Sequence, residues 1–215
     1  VHLFPTVSIS LLLLAVAYLE SAPEAAWLLW LAGVALHLSL TLAIFGSWLH
    51  HTHYAIQHAN PAWFIPVVGN IIVPVAGVRL ASPELSWFFF SIGLVFWIVL
   101  LTIVLYRLIF HEPLPARLTP TLFILLAPPS VGFIAYTLLV GGVDGFGRIL
   151  YYTALFLALL LASNAMRFLR VPFYISSWAY SFPLAALTLA TLIMGTHLPY
   201  PFFLWLGLGL LTLLT

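Results

Sequence analysis

Charged side chains are scarce in this 215-residue sequence, and their scarcity excludes most soluble proteins. Six arginines and five acidic residues make up 5% of the chain, lysine does not occur, and hydrophobic residues make up 64%. A soluble domain carries roughly 25% charged residues, so too little polar surface is present to coat a globule in water. Lipid must therefore solvate most of the exterior. The scattered arginines and the net charge of +1 also exclude the basic patch of a nucleic-acid-binding protein.

Cysteine is absent as well, which excludes disulfides, thiolate metal sites and cysteine nucleophiles. Glu20 and Glu24 flank Pro23 in a short predicted turn without a nucleophile, so they make no convincing catalytic acid–base pair. The glycine-rich segment 141–147 lacks the lysine of a phosphate-binding loop, and a turn is the better interpretation. We therefore expect neither an enzyme nor a cofactor.

Histidine is the one potential metal ligand that clusters. His50, His51, His53 and His58 lie close together in a predicted loop. Imidazoles at such short spacing can bind zinc, nickel or copper, but no carboxylate or cysteine accompanies them. A hydrated helix end is the preferred interpretation, and no metal site is predicted.

Eight apolar runs, separated by proline, glycine and the rare charges, dominate the sequence. They lie near residues 3–19, 25–49, 63–81, 86–110, 118–140, 146–167, 173–195 and 200–215. Their length predicts membrane-spanning helices, since barrel strands need only about ten residues of alternating polarity. The sequence thus predicts an all-α polytopic membrane protein with a single transmembrane domain over residues 1–215. Val1 stands in the place of an initiating Met and the terminal runs are short, so we expect a partial sequence.

The few charges predict the orientation of these helices. Alternate loops carry net charges of +3 and −2, the first set with Arg107, Glu112, Arg117, Arg167 and Arg170, the second with Glu20, Glu24, Arg79, Glu84, Asp144 and Arg148. Because positively charged loops favour the cytoplasmic side, the first set is assigned to the cytoplasm. Eight spans then place both ends of the chain on that side.

Proline divides the predicted spans into two alternating sets. The even-numbered spans have none in their cores, and the odd-numbered spans contain, in order, Pro5, Pro66 with Pro74, Pro128 with Pro129, and Pro183. Proline leaves backbone carbonyls unpaired, and in a membrane these must be satisfied by protein or by a water-filled cavity. We therefore expect helical hairpins that form an inner ring of proline-kinked helices around a pore and an outer, lipid-facing ring. The alternative is that the kinks only aid packing.

Two segments carry a resemblance to a known family. The sequence NPAWFIPVVGN at residues 60–70 opens the third span, and SWAYSFPL at residues 177–184 lies in the seventh. Both resemble segments of the tellurite-resistance/dicarboxylate transporter (TDT) family, which includes bacterial TehA and the slow-type anion channel of plant guard cells. The resemblance runs through essentially the whole chain, in order and with matching hairpin spacing.

This resemblance implies five hairpins around a central pore, with the odd-numbered helices inside. It places the eight spans as the third to tenth of a ten-span fold, so that the first hairpin is missing here. It also implies a homotrimer and a bacterial inner (plasma) membrane. By resemblance, Phe182 occupies the position of the gating phenylalanine, whose ring plugs the pore. An apolar ring beside Pro183 can constrict and dewet a narrow path; a packed core aromatic is the alternative.

The centre of every predicted span lacks charged residues, and His37 is the one titratable side chain placed within a span. Coupled transporters usually bury ionisable groups at mid-membrane, so this pattern favours a channel. The pore-lining candidates besides the kink prolines Pro5, Pro66, Pro128 and Pro183 are Ser8, Gly69, Asn70, Ser130 and Ser181. Their polar groups would add donors to the positive field of broken-helix N-termini. His37 is either a proton relay or a packed or interfacial histidine.

We therefore predict an anion channel or channel-like transporter that moves small anions, such as chloride, nitrate or malate, through a neutral pore gated by Phe182. The first alternative is a secondary transporter or exporter of C4-dicarboxylates, sulfite or tellurite oxyanions, because the family includes transporters. A purely structural membrane protein is the remaining alternative.

Overall fold

A computed structural model describes residues 4–50 and 54–215, and every regular element within them is helical. The α-helices are α1 (Pro5–Tyr18), α2 (Pro23–His50), α3 (Phe64–Val68), α4 (Val73–Leu80), α5 (Pro83–Phe110), α6 (Ala127–Val140), α7 (Gly145–Ala162), α8 (Ala165–Leu169), α9 (Ser181–His197) and α10 (Pro201–Leu214). Five 3-10 helices, Ile56–His58, Pro61–Trp63, Gly69–Ile72, Ala116–Leu126 and Ile175–Tyr180, lie between them. The chain divides into two compact units, residues 1–109 and 110–215.

Six helical segments are long and apolar enough to cross a membrane: Pro23–His50, Pro61–Leu80, Pro83–Phe110, Ala116–Val140, Gly145–Ala162 and Ile175–His197. The predicted all-helical, polytopic membrane protein is thereby confirmed. The helices α1 and α10 are also apolar but have 14 residues each. The count of eight spans and the arrangement of the helices in two rings stay predictions.

Helix type separates the predicted sets in spans two to seven, whereas α1, expected to be kinked at Pro5, is α-helical throughout. We call Pro61–Leu80, Ala116–Val140 and Ile175–His197 the broken spans, because each changes between 3-10 and α geometry. The continuous helices α2, α5 and α7 are α-helical throughout. Of the most apolar 18-residue stretch, 78%, 67% and 39% is buried in the three broken spans, against 33% in each continuous helix. The broken spans are thus more enclosed by protein than the continuous helices. In a membrane this enclosure is required where the backbone is not fully hydrogen-bonded within its own helix.

The prolines explain where the breaks fall. Each occupies the first turn of an α-helical segment: Pro5 in α1, Pro66 in α3, Pro74 in α4, Pro128 and Pro129 in α6, and Pro183 in α9. In the interior of a helix the proline ring clashes with the carbonyl four residues earlier, whereas in the first turn that clash is absent. The chain therefore starts a new α-helical segment at each proline instead of bending one helix.

Small residues set the helix spacing in the first unit. A Cβ built on Gly33 of α2 would lie 3.0 Å from the Leu12 side chain of α1, and one built on Gly77 would lie 2.8 Å from Ser86 Oγ. The closest approach is at Gly93 of α5, where a Cβ would lie 2.7 Å from the backbone nitrogen of Ile71. Close contact of backbones through small residues is typical of membrane helix packing.

The second unit is built around α9, which packs against α6, α7 and α10. Tyr151 of α7 is fully buried and its hydroxyl donates to Thr191 Oγ1 of α9 over 3.2 Å. Residues 141–144 of the glycine-rich segment form the predicted turn, and residues 145–147 already belong to α7. Gly141 ends α6 in the left-handed conformation with φ 75°, which favours glycine. Asp144 then caps α7 by accepting from the Gly147 N–H, and this bond, with a second from Tyr136, lowers the pKa of the Asp144 carboxyl.

Two contacts join segments that lie near the ends of the predicted spans. Arg79, near the end of α4, forms an ion pair with Glu20 in the turn between α1 and α2, and this bond lowers the pKa of Glu20. Both loops belong to the predicted external set. In the second unit, the Ser176 hydroxyl donates to the Arg117 carbonyl; Arg117 belongs to the predicted cytoplasmic set, and Ser176 lies near the start of the seventh predicted span.

Adding a methyl group at Gly93 tests how closely α5 approaches Ile71. We expect Gly93→Ala to destabilise the fold by about 1–3 kcal/mol, since the new Cβ meets backbone that cannot rotate away. Gly46→Ala in α2 is the matched control: nothing lies within 4 Å of its Cβ position, so it should stabilise the helix by about 0.5–1 kcal/mol. Thermal unfolding in detergent measures both, and equal shifts would contradict the packing described.

Candidate functional site

A buried polar cluster lies in the middle of the first unit, which we call the α2 cluster and define as Ser8, His37, Thr41 and Asn70. Ser8, His37 and Asn70 are completely buried and Thr41 is 5% exposed. Ser8 Oγ lies 2.8 Å from His37 Nδ1, and Asn70 Nδ2 donates to Thr41 Oγ1 over 3.0 Å. The cluster thus joins α1 and the broken span Pro61–Leu80 to the continuous helix α2.

The hydrogen bonds of Ser8 fix the tautomer of His37. The Ser8 hydroxyl has one proton, and it donates to the Pro5 carbonyl over 2.8 Å. The 2.8 Å contact with His37 then requires His37 Nδ1 to donate to Ser8 Oγ. Nε2 is left as an acceptor, and it has no hydrogen-bond partner among the described residues. A charged ring would also need an acceptor for a proton on Nε2, and the described residues provide none, so the buried site favours the neutral ring.

Gly69 makes room for this ring. A Cβ at Gly69 would lie 2.8 Å from both Cε1 and Nε2 of His37, and 3.0 Å from the Ile9 side chain. Gly69 begins the 3-10 helix Gly69–Ile72, so the imidazole packs directly on the break in the span. The predicted pore-lining residues Ser8, Gly69 and Asn70 are brought together here, on the side that faces α2.

Side chains also satisfy three carbonyls of this broken span. Thr41 Oγ1 lies 2.6 Å from Pro66 O and 2.8 Å from His37 O of its own helix, and its single proton is shared between these two acceptors. Asn70 Nδ2 donates to Val67 O over 2.7 Å, and Trp30 Nε1 donates to Val73 O over 3.0 Å. Thr41 and Trp30 both belong to α2. A continuous helix therefore supplies donors to the backbone of its broken neighbour, which is what an interrupted helix needs where water is excluded.

The sequence-based reasoning missed Thr41 and Trp30. Thr41 lies four residues after His37, and Trp30 lies seven before it, so all three share one helical face. That stripe of two polar side chains and one indole on an otherwise apolar helix is the signal that could have identified them.

The second unit contains the break that precedes Phe182. The 3-10 helix Ile175–Tyr180 ends where α9 begins, and Phe182 is the second residue of α9 and half-buried. Pro183 is buried, whereas Ser181 is exposed and donates to the Trp178 carbonyl over 2.8 Å. Ser181, Phe182 and Pro183 thus share the first turn of α9.

Aromatic rings hold this break in place. The ring centroid of Tyr180 lies 4.6 Å from that of Phe123, which in turn lies 5.1 Å from that of Phe168. Phe123 belongs to the 3-10 part of the broken span Ala116–Val140, so the two breaks of this unit contact each other through aromatic edges. Tyr180, two residues before the gate candidate, is therefore held by aromatic contacts with Phe123 and Phe168.

Pro128, Pro129 and Ser130 form the third broken region, at the start of α6. All three are buried, and α6 packs on α9. Ser130 Oγ has no hydrogen-bond partner within the described part of the chain. Among the donors predicted for the pore, Ser8, Asn70 and Ser181 are engaged with protein, and Ser130 is the one whose hydroxyl stays available.

Within residues 4–50 and 54–215, no group of three potential metal ligands comes together. Of the clustered histidines, His50 ends α2 and His58 accepts from the Ala55 N–H over 3.2 Å. His51 and His53 lie outside the described residues, so the interpretation of this loop stays a prediction.

The family follows from the match of the whole sequence. Residues 1–215 match the family described as voltage-dependent anion channel. The chain belongs to this family. The resemblance inferred from residues 60–70 and 177–184 is thereby confirmed, since family members include the slow-type anion channels of plants.

Individual relatives agree with this membership. The chain is 31% identical over 87% of its length to the S-type anion channel SLAH2 of Arabidopsis thaliana and 29% identical over 80% to the guard cell S-type anion channel SLAC1 of the same plant. It is 27% identical over 98% of its length to an uncharacterised transporter of Methanocaldococcus jannaschii. The matches cover 36% and 32% of the two plant proteins and 68% of the archaeal one. The chain thus spans about a third of those plant relatives.

Replacing Thr41 tests the role of α2 as a donor to the broken span. Thr41→Val keeps the side-chain shape but leaves the Pro66 carbonyl and one Asn70 N–H without their partner. Unsatisfied buried groups cost about 1–3 kcal/mol, so we expect a loss of that size in thermal unfolding. Thr102→Val is the control, because the exposed Thr102 donates only to Ile98 O of its own helix. A similar loss in both variants would contradict the proposed role.

Proposed function

We propose that this chain forms the wall of an anion-conducting pathway in the membrane, with the broken spans towards the pathway and the continuous helices towards lipid. The supporting observation is the family membership together with relatives that are named anion channels. The helix types add a physical argument. Backbone that is interrupted at membrane depth needs either protein donors or water, and the broken spans are the more enclosed set.

The pathway is proposed to be electrically neutral. The centres of the broken spans carry no charged side chain, and the α2 cluster packed behind the first of them contains only hydroxyl, amide and imidazole groups. The proton of His37 Nδ1 is committed to Ser8, and ring burial is complete. A coupled carrier needs a group that titrates or binds the coupling ion, and a buried neutral histidine tied to a serine suits that role poorly. A neutral, weakly polar path suits small anions that lose their water readily.

Phe182 is proposed as the gate. Its half-buried ring stands in the first turn of α9, one residue before Pro183 and directly after the 3-10 helix Ile175–Tyr180. A ring at a helix start can change its rotamer without disturbing an upstream α-helical turn, and an apolar ring across a narrow path excludes water. Rotation of one side chain would then open the pathway.

The substrates, the assembly and the location are proposed from the resemblance to the family. Chloride, nitrate, malate or related small anions are the proposed substrates, in a homotrimer with one pathway per subunit. The proposed location is a bacterial inner membrane with both ends of this chain in the cytoplasm. The charge bias of the loops carries this orientation, and the Arg79–Glu20 ion pair supports placing those two loops on the same side of the membrane.

A secondary transporter or exporter of C4-dicarboxylates, sulfite or tellurite oxyanions is the second candidate. The archaeal relative, described as a transporter, favours it, since that match covers nearly all of this chain. The two candidates differ in coupling: a channel passes current down the gradient of the anion alone, whereas a coupled carrier also follows the gradient of its coupling ion.

Electrical recording of Phe182→Ala tests the gate. We expect the anion current to rise by about tenfold, which corresponds to lowering a barrier by about 1.4 kcal/mol, because the apolar plug is removed. The reversal potential should follow the anion gradient. Phe156→Ala is the matched control: Phe156 lies on α7 and is 64% exposed, so its loss should leave the current unchanged.

Three outcomes would contradict this proposal. Background current in Phe182→Ala at normal surface expression would exclude the gate, and a reversal potential that follows a proton gradient would favour the coupled carrier. An equal rise in Phe156→Ala would show a general leak.

Replacing Pro183 tests whether the break itself shapes the pathway. Pro183→Ala permits an α-helix to continue back towards Tyr180, so we expect altered conductance or selectivity at equal surface expression. Pro201→Ala, at the first position of α10 where an N–H is unpaired in any case, is the control and should conduct as the parent. Unchanged conductance in both variants would mean that the break at Pro183 serves helix packing and does not shape the pathway.

A further inference from the structure

An open groove with mostly apolar walls lies beside the first turn of α9 in the second unit. Its volume is about 500 Å³, within the range of roughly 300–1,000 Å³ that is typical of ligand sites. The walls come from α8, the segment between α8 and α9, the start of α9 and the end of α10, and include Leu169, Val171, Phe173, Trp178, Leu184 and Leu213. The groove thus offers a surface for a hydrocarbon chain.

Two aromatic side chains of this groove are largely exposed. Phe173 is 76% exposed and Trp178 is 70% exposed. Tryptophan is enriched where a membrane meets water, since its ring is apolar and its N–H is polar. The groove therefore opens at the level of the lipid headgroups, where an apolar wall and charged side chains can stand close together.

Three arginines lie beside the groove. Arg167 belongs to α8, and Arg170 stands between two residues of the groove wall. The Ser176 hydroxyl holds the backbone of Arg117 next to the same wall by donating to its carbonyl. All three arginines are exposed, and within residues 4–50 and 54–215 none of them forms an ion pair. The rim of the groove is therefore positively charged without a partner in the described residues.

We propose that this groove binds an anionic phospholipid of the cytoplasmic leaflet. One acyl chain lies in the groove, and the headgroup phosphate contacts Arg167 and Arg170. A guanidinium can donate two parallel hydrogen bonds to a phosphate, and basic pockets between membrane helices on the cytoplasmic side are typical binding sites for anionic headgroups. The charge bias of the loops assigns these arginines to that side.

The combination of walls and rim favours a lipid over the other occupants of such a face. A second copy of the chain docked through the same face would bring its own arginines opposite Arg167 and Arg170, and like charges repel. Free phosphate would pair the arginines but leave Phe173 and Trp178 uncovered. An anionic lipid matches both the charge of the rim and the apolar walls.

Thermal unfolding of the full chain in neutral detergent tests the site without requiring conduction. Dioleoylphosphatidylglycerol is compared with dioleoylphosphatidylcholine, which has the same acyl chains and no net charge. A ligand that binds the folded state stabilises it, so we expect the anionic lipid to raise the unfolding temperature by about 2–4 °C more than the neutral one. This excess should saturate with lipid and shrink at high salt, which screens exposed charges.

The double variant Arg167→Gln/Arg170→Gln should lose the excess and keep the response to phosphatidylcholine. Arg79→Gln/Arg148→Gln is the matched control, because it removes the same charge from the loops of the predicted external set. It should keep the full excess. An undiminished excess in Arg167→Gln/Arg170→Gln, or equal shifts from the two lipids in the parent chain, would overturn the proposal.

Two further results would assign the groove to another occupant and overturn the lipid. Inorganic phosphate alone might reproduce the whole shift only if a free anion were the ligand. An oligomer in lipid-free detergent that Trp178→Ala dissociates would identify the groove as an interface between copies of the chain.

This test also separates the lipid site from the pathway. A phosphatidylglycerol response with no current in Phe182→Ala would retain the site and reject the channel. Anion current without that response would retain the channel and reject the site.

Discussion

The structure depends on one constraint: where a span is interrupted at membrane depth, its backbone must be hydrogen-bonded by protein because water is absent. Prolines start new α-helical segments in every broken span, and 3-10 turns precede them. In the first unit Thr41 and Trp30 of α2 provide donors to Pro66 O and Val73 O. The continuous helix is therefore more than a lipid-facing cover. The helix α2 donates hydrogen bonds to the broken span Pro61–Leu80, whose interrupted backbone would be unstable in direct contact with lipid.

The same constraint decides which polar groups are available for transport. Hydroxyls that donate to carbonyls within the protein cannot also donate to a passing anion, since each hydroxyl has one proton. Ser8 and Ser181 are committed in this way. Ser130, at the start of α6, is the one predicted pore-lining serine whose buried hydroxyl has no partner in the described residues. A pathway built like this attracts anions weakly, which permits them to leave again.

The fold class followed from the sequence because run length and the shortage of charge leave few alternatives, and the family followed from residues 60–70 and 177–184. The prolines of the third, fifth and seventh predicted spans also marked the broken spans, whereas Pro5 is the first residue of α1, which is not interrupted. The α2 cluster could not be predicted from the sequence, because Ser8 and His37 are 29 residues apart and their contact depends on how α1 packs on α2. For the same reason Arg107 was assigned to a loop from the sequence. Its position near a helix end did not reveal that tertiary packing buries it.

The central claim is that the broken spans, and not the continuous helices, line a water-filled anion pathway. The chain has no cysteine, so single cysteines introduced along α9 and α5 can be tested with a negatively charged thiol reagent without background labelling. The account predicts reaction on one face of α9 into the middle of the span, deeper when Phe182 is replaced by Ala. It predicts no reaction in the middle of α5. Equal reactivity of the two helices, or none in α9 with either residue at position 182, would contradict it.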